Sequence, residues 1–350
     1  MNNSSFDVLC QVAKSTVTST EFRAVLCLEV AFGIGAALIN IVVISLIFRV
    51  TVFHANLRCL LMFHSFNLAL YSGSTAVKAI FFLYVGMAHE RPCQLVTALY
   101  NCRAQELVAI IPLICGIYGL LAVSLERLYA TIRYRTYDFS KNTPWLAMLL
   151  IVIIYGVALA NQLFPMSTLP KDKFMPVCAS LLSMPPHVAG PVLAQNLCLN
   201  AFSIVLAFTL YVVNKRKLVN SIINRAQHSL AARFQIIQNV SVNQLLLPSM
   251  IAHTVYTIPS SITLFFLTHA LDLSVEKKHF WLHVILFLPI CLSIFHPVLA
   301  LTRNPHIRKL FVQSLPERLT IRREGRAKIY PNSTEVHFQS LEAMWNVKKG

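Results

Sequence analysis

Seven stretches of apolar residues, each long enough to cross a bilayer as a helix, alternate with short polar gaps along the chain. They occupy 24–48, 59–87, 104–129, 145–167, 191–213, 244–268 and 279–301. A hydrocarbon core about 30 Å thick takes about 20 helical residues to cross. The second and third runs exceed that length, so tilt or extension past the bilayer is expected there. Pro112, Pro248, Pro259, Pro289 and Pro297 lie inside runs. Membrane helices tolerate them because neighbouring groups satisfy the carbonyls they free. The pattern predicts an all-α integral membrane protein, a seven-helix bundle over 24–302 with an N-terminal segment 1–23 and a tail 303–350. It contains no internal repeat and no second folded domain.

Two polar stretches carry a pattern of their own. The gap 214–243 is basic and helix-compatible, with Lys215, Arg216, Lys217, Arg225 and Arg233. It suits a lipid-facing surface and equally a docking surface for a cytoplasmic transducer. After the last run, Pro305 opens a short helix over about 305–313. There Ile307, Leu310 and Phe311 share a face that Arg308 and Lys309 avoid, the pattern of an amphipathic helix lying on membrane lipid. No cysteine follows Cys291, which excludes palmitoylation there.

Composition agrees with the bilayer as solvent. The 350 residues are 56% hydrophobic and 13% charged, with a mean hydropathy of +0.62. A soluble domain is about 45–50% apolar and roughly 25% charged. The net charge of +16 raises nucleic acid as a partner, but the basic residues sit in the gaps and tail, not among aromatics in a polar domain. That placement is the positive-inside rule at work, and nucleic acid is rejected. With the N-terminus outside, the inner gaps and tail hold 20 of the 30 Lys and Arg, and the outer segments hold 7. The expected topology is a multi-pass cell-membrane protein with an extracellular N-terminus and a cytoplasmic tail. The first 23 residues lack the basic, apolar and small-residue order of a removable signal peptide, so the first apolar run is expected to direct insertion. Asn2 and Asn3 head overlapping sequons on the outer side, where glycosylation can occur. The sequons at Asn239 and Asn332 face the cytosol on this topology and should be bare.

The topology also sorts the residues that could carry chemistry. Cys27, Cys59, Cys115, Cys198 and Cys291 lie within or at the ends of runs and read as small packing residues. Cys10, Cys93, Cys102 and Cys178 lie outside, where disulfides persist, and four cysteines allow three pairings. The favoured one is Cys102–Cys178, which would pin the second outer loop over the bundle mouth, with Cys10–Cys93 left over. Glu29, Lys78 and Glu106 are charges in the outer half of the bundle. Lys78 lies roughly 13 Å inside the end of its run at 1.5 Å per residue. Charge at that depth turns inward, either as an ion pair of Lys78 with Glu106 or Glu29, or as the polar anchor of a ligand pocket. His279 and His283 share a helix face at a spacing that suits a metal. They lack the glutamate of the H-E-x-x-H motif and read as membrane-interface histidines, so neither metal nor cofactor is expected. Glu126-Arg127, in LERLYAT at the inner end of the third run, is either an interface anchor or a switch in which the glutamate holds the arginine at rest. Glu126, Arg127 and Arg233 are the candidates for activation and transducer contact. No lysine occurs between Phe280 and Leu301, which disfavours a retinal Schiff base. No convergent catalytic set is present, so an enzyme is not expected. A transporter or channel-like protein is the alternative, though it would usually show repeated halves.

These features together resemble the rhodopsin-like receptor architecture. Cys102 lies 25 residues before Arg127, the separation seen in that superfamily. Asn40 with Val43 looks like its first-helix asparagine motif, and Pro297 like the proline of its seventh-helix motif. His296 and Ala300 depart from the latter, Leu128 stands where an aromatic is common, and Asn67 lies near the usual sodium-binding aspartate. A narrower resemblance rests on Cys93 and Cys102, on ERLYATIRYRTYD over 126–138 and on LAARFQIIQNVSVNQLLLP over 230–248. These look like the nematode serpentine chemoreceptors of the alpha and alpha-beta classes, although Gln238 stands where their glutamate is typical. The resemblance spans most of 20–315. It implies a G-protein-coupled chemosensory receptor in sensory neuron cilia, an environmental small molecule as ligand and a heterotrimeric G protein as partner.

Overall fold

The computed structural model describes residues 3–50, 53–87, 92–134, 144–167, 170, 173–183, 185–223, 230–269, 271–303 and 305–314. Helix α1 covers Asn3–Thr18, and the main helices follow as α2 (Thr20–Arg49), α3 (Ala55–Met87), α4 (Leu99–Ile132), α5 (Trp145–Ser167), α6 (Pro186–Ile223), α7 (Leu230–His269) and α8 (Val275–Arg303). The seven from α2 to α8 are long and apolar enough to cross a membrane. The protein is a multi-pass membrane protein, a seven-transmembrane helix bundle.

Its surface is inverted relative to a soluble globule. Along α2 the buried residues Phe22, Leu26, Glu29, Gly33, Ala36, Asn40 and Val43 recur every three or four positions, one inward stripe of a 3.6-residue helix. Leu28, Phe32, Leu38 and Phe48 of the same helix are exposed. Buried positions elsewhere include Asn56, His64, Asn67, Arg103, Glu106, Glu126 and Arg127. Polar inside and apolar outside is stable only where the outside is lipid.

Small residues set the closest approaches. A Cβ on Gly33 would lie 2.8 Å from the Ser72 carbonyl oxygen of α3, and one on Gly86 would lie 2.9 Å from that of Val17 in α1. Only glycine lets the backbones come this near. Proline is handled as locally. Pro297 cannot donate to the Ser293 carbonyl one turn back, and Asn40 of α2 does so in its place, Nδ2 to oxygen at 2.7 Å.

Three features depart from the hydropathy reading. First, segment 1–23 contains α1, whose Ala13 and Val17 pack with Phe22, Leu26, Phe82 and Val85. Ser19 caps the start of α2 by accepting from the Phe22 N–H. Arg23 donates to Val17 and Gly86 carbonyls at 3.0 and 2.8 Å, closing the ends of α1 and α3. Second, α6 and α7 run past 191–213 and 244–268 by about two turns or more, because their polar extensions stay helical. Asn239 of the third sequon is therefore a buried helix residue, not a loop one. Third, Cys27 and Cys198 are exposed on the outward face and so do not pack the core.

At one end of the bundle the α3–α4 and α5–α6 connections form a two-stranded antiparallel ribbon, β1 (Thr97–Ala98) against β2 (Phe174–Met175), with Thr97 opposite Met175. Disulfides Cys10–Cys93 and Cys102–Cys178 lie at the same end, and Leu99, Met175, Leu267 and Leu282 pack around the second. Helix α9 (Pro305–Ser314) starts at the proline that predicted it. Its Arg308 and Lys309 are exposed, with Leu310 and Phe311 half-buried. Asn2, Asn332 and Arg225 lie outside the described residues, as do 135–143 and the tail from 315; for Asn3 only the helical backbone is described.

Candidate functional site

A cavity of about 840 Å³ opens between the helices toward the disulfide end, within the 300–1,000 Å³ that small-molecule sites occupy. Glu29 of α2, Lys78 of α3 and Glu106 of α4 all line it. The two readings of these charges are thus compatible: an ion pair is present, and it stands in a pocket wall. Lys78 Nζ lies 3.0 Å from Glu106 Oε1. Glu106 Oε2 accepts from the Ser180 N–H at 3.1 Å and from the Ser180 hydroxyl. Arg103 of α4 donates to Ser180 Oγ at 3.2 Å and to Gln162 of α5. Four segments are joined by one chain of charge-assisted bonds. Because Ser180 sits two residues after Cys178, the disulfide and this chain fix the same loop.

Glu29 belongs to a separate pair. Both its oxygens lie 3.0 Å from Nδ1 of His283, and the rings of Phe22 and Phe82 meet that imidazole edge-on at 5.0 and 5.9 Å. The interface reading of His279 and His283 is therefore corrected: both are buried, at 1% and 3% exposure. Their helix begins at Val275, one turn before His279, and the face they share turns into the bundle. Among the described residues the one cluster with metal-ligand geometry is Cys102, Glu106 and Cys178, and its sulfurs are joined in the disulfide.

The opposite end of α4 holds Glu126 and Arg127, both fully buried. The guanidinium engages Glu126 through two bonds of 2.5 Å, Nε to Oε2 and Nη2 to Oε1. Its Nη1 donates at 3.1 Å to Asn239 Oδ1 of α7. One turn on, Thr131 meets Asn214 of α6 at 2.9 Å, and Lys217 donates to the Thr131 carbonyl at 2.9 Å. Burial with this partnering excludes a snorkelling anchor at Arg127, since a snorkelling head group sits in water. Arg233 stands apart: it is half-buried six residues before Asn239, and its Nε has no hydrogen-bond partner.

A family model described as serpentine type 7TM GPCR receptor class ab chemoreceptor matches residues 7–334. The chain belongs to that family. It is also similar to serpentine receptor class alpha/beta-14 of Caenorhabditis elegans, at 21% identity over 314 residues, 88% of this chain and 80% of the relative. In this chemoreceptor family, which is not an enzyme family, the geometry gives individual residues distinct jobs. Arg103, Gln162, Ser180 and the cavity-lining His253 were not singled out from sequence, and Asn239 entered only as a sequon and within the family-like stretch 230–248. Arg103 carries a signal in hindsight, since it precedes Glu106 by one helical turn. His253 reads as an ordinary polar residue in a weakly apolar stretch, and nothing in the sequence pairs Asn239 with Arg127.

Proposed function

We propose that this serpentine chemoreceptor binds an environmental small molecule in the cavity at its disulfide end. Binding is transmitted to a heterotrimeric G protein through the Glu126–Arg127–Asn239 cluster at the opposite end. The disulfide end is extracellular and the tail cytoplasmic, as the excess of basic residues in the inner gaps supports; sensory cilia are the setting the family suggests. The observation that carries the reading is the buried guanidinium tying α4 to α7. Separating those helices would leave Arg127 without one acceptor and open space for a partner that replaces it. The cluster is then a restraint on the inactive state. Arg233, on the same helix and incompletely partnered, is a second contact for the G protein.

The test is nucleotide exchange on a G protein added to membranes that contain the receptor. Glu126→Gln removes one charge of a desolvated pair and leaves the other poorly compensated, so basal exchange should rise. A shift of about 1.4 kcal/mol changes a rare active population about tenfold. Arg127→Ala should reach the surface and lose exchange. Unchanged exchange in both variants would reduce the pair to a structural one.

A further inference from the structure

The hydrogen-bonding capacity of the cavity wall is unbalanced, and the imbalance has a sign. Two cations stand near one carboxylate, Glu106: Lys78 pairs with it directly, and Arg103 is linked to it through Ser180. Glu106 is committed through both oxygens, one to Lys78 and the other to Ser180. The cations are not. An ammonium has three N–H donors, and Lys78 places one on Glu106 while its side chain stays 28% exposed on the wall. Arg103 is 2% exposed, lines the cavity, and has no acceptor for its Nε–H. His253 also lines the cavity, buried with neither ring nitrogen partnered; a neutral imidazole offers one donor and one acceptor, so it leaves the balance unchanged. Glu29, the second acid on the wall, is occupied by His283 through both oxygens. Donors are in surplus, and no carboxylate oxygen here lacks a donor.

Most of the remaining exposed wall is apolar, with Phe81, Val108, Leu113, Leu193 and Leu264 among its residues, and its other polar side chains, such as Gln105, Asn196 and Ser260, are uncharged. A hydrated inorganic anion would lose its water against such a surface with too few groups to replace it. The volume suits an organic molecule. An organic cation would need an acid with a vacant oxygen.

Resting on the reading of this cavity as the receptor's ligand site, we propose that its ligand is an organic anion. It is a carboxylate on a mainly apolar body, with its head at Lys78 and Arg103 and its body against the aliphatic wall. Glu106 then acts as an internal competitor, the carboxylate that Lys78 holds until the ligand's own arrives.

The competitor role makes two opposite predictions for one ion pair. The receptor in zwitterionic lipid nanodiscs, with empty discs as reference, is titrated at neutral pH with naphthaleneacetate, its methyl ester, naphthaleneethanol and naphthaleneethylamine. Binding and nucleotide exchange are read separately. The acid should bind about tenfold or more tightly than the other three, the worth of one hydrogen bond to a charged group. Lys78→Gln should weaken acid binding about tenfold, Lys78→Arg should retain most of it, and Glu106→Gln should strengthen it. A pair that only holds the fold would weaken binding in both directions, so Glu106→Gln shifting with Lys78→Gln overturns the proposal. Equal or tighter binding of the amine, alcohol or ester overturns it too, as does binding by none of the four. If Lys78→Gln fails to fold, Lys78→Arg and Glu106→Gln still carry the sign. Acid binding without nucleotide exchange would uphold the anion site and remove the receptor reading. Exchange driven by the amine or the alcohol and not the acid would do the reverse.

Discussion

At the scale of single residues, the bundle repeatedly answers a missing or excess polar group with one side chain from a neighbouring helix. Asn40 and Pro297 show the logic most cleanly. The proline removes a donor, the Ser293 carbonyl is freed in a lipid-bounded interior, and Asn40 supplies the replacement at 2.7 Å. Arg127 follows the same rule with charge, donating two bonds to Glu126 and one to Asn239. The Asn40 case can be tested by rescue. Asn40→Ala should lower stability by about 1–2 kcal/mol, the cost of an orphaned buried carbonyl, read as a fall in the thermal midpoint of the purified protein. Pro297→Ala restores a backbone donor to that same carbonyl. The double variant should therefore recover most of the lost midpoint, whereas a double variant as unstable as Asn40→Ala would mean that the asparagine does something else.

Among the helices and loops, what the sequence made legible depended on what each element buries and where. Helices α2 to α8 were readable because a bilayer demands long apolar runs, a constraint local to each run. The extensions of α6 and α7 over 214–223 and 230–243 were not, because they leave the apolar runs and become polar without ceasing to be helical. Helix α1 was missed for a related reason: its inward residues Ala13, Thr16 and Val17 make a narrow stripe on a short polar segment. The site divides in the same way. Glu29, Lys78 and Glu106 stood out as charges where charge is costly. Asn239 was noticed as a sequon and within the family-like stretch 230–248, but its role was not legible, because an uncharged amide gains that meaning only from Arg127, 112 positions earlier in sequence. The loop over the cavity was half-legible through its cysteines. Cys102–Cys178 closes 76 residues and Cys10–Cys93 closes 83, and closures of that size typically stabilise by a few kcal/mol. Cys102→Ser and Cys178→Ser should each abolish surface expression, and the double variant should be no worse than either. Defects that add would show that the two sulfurs serve separate purposes.

For the whole molecule, two independent kinds of chemistry favour the same proposed direction across the membrane. The distribution of Lys and Arg favours the gaps 49–58, 130–144 and 214–243 as the cytoplasmic side. The disulfides fall at the other end, where α1, the β1–β2 ribbon and the cavity mouth also lie. Disulfides persist in oxidising surroundings and are rare in the cytosol. Neither observation uses the other, since one counts charges in loops and the other pairs sulfurs in space, yet both send the same end outward. On this proposed topology the cavity faces the environment and Arg127 faces the cell, the order a receptor requires. A tag placed before Asn2 should accordingly label on intact cells, and a tag after Gly350 only once the membrane is permeabilised. Reversed labelling would set both disulfides in a reducing compartment and the basic gaps outside. It would turn the cavity away from any external ligand, and the receptor reading would fall with it. Labelling of both tags on intact cells would require an even number of crossings, and one of the helices α2 to α8 would then have to lie outside the bilayer.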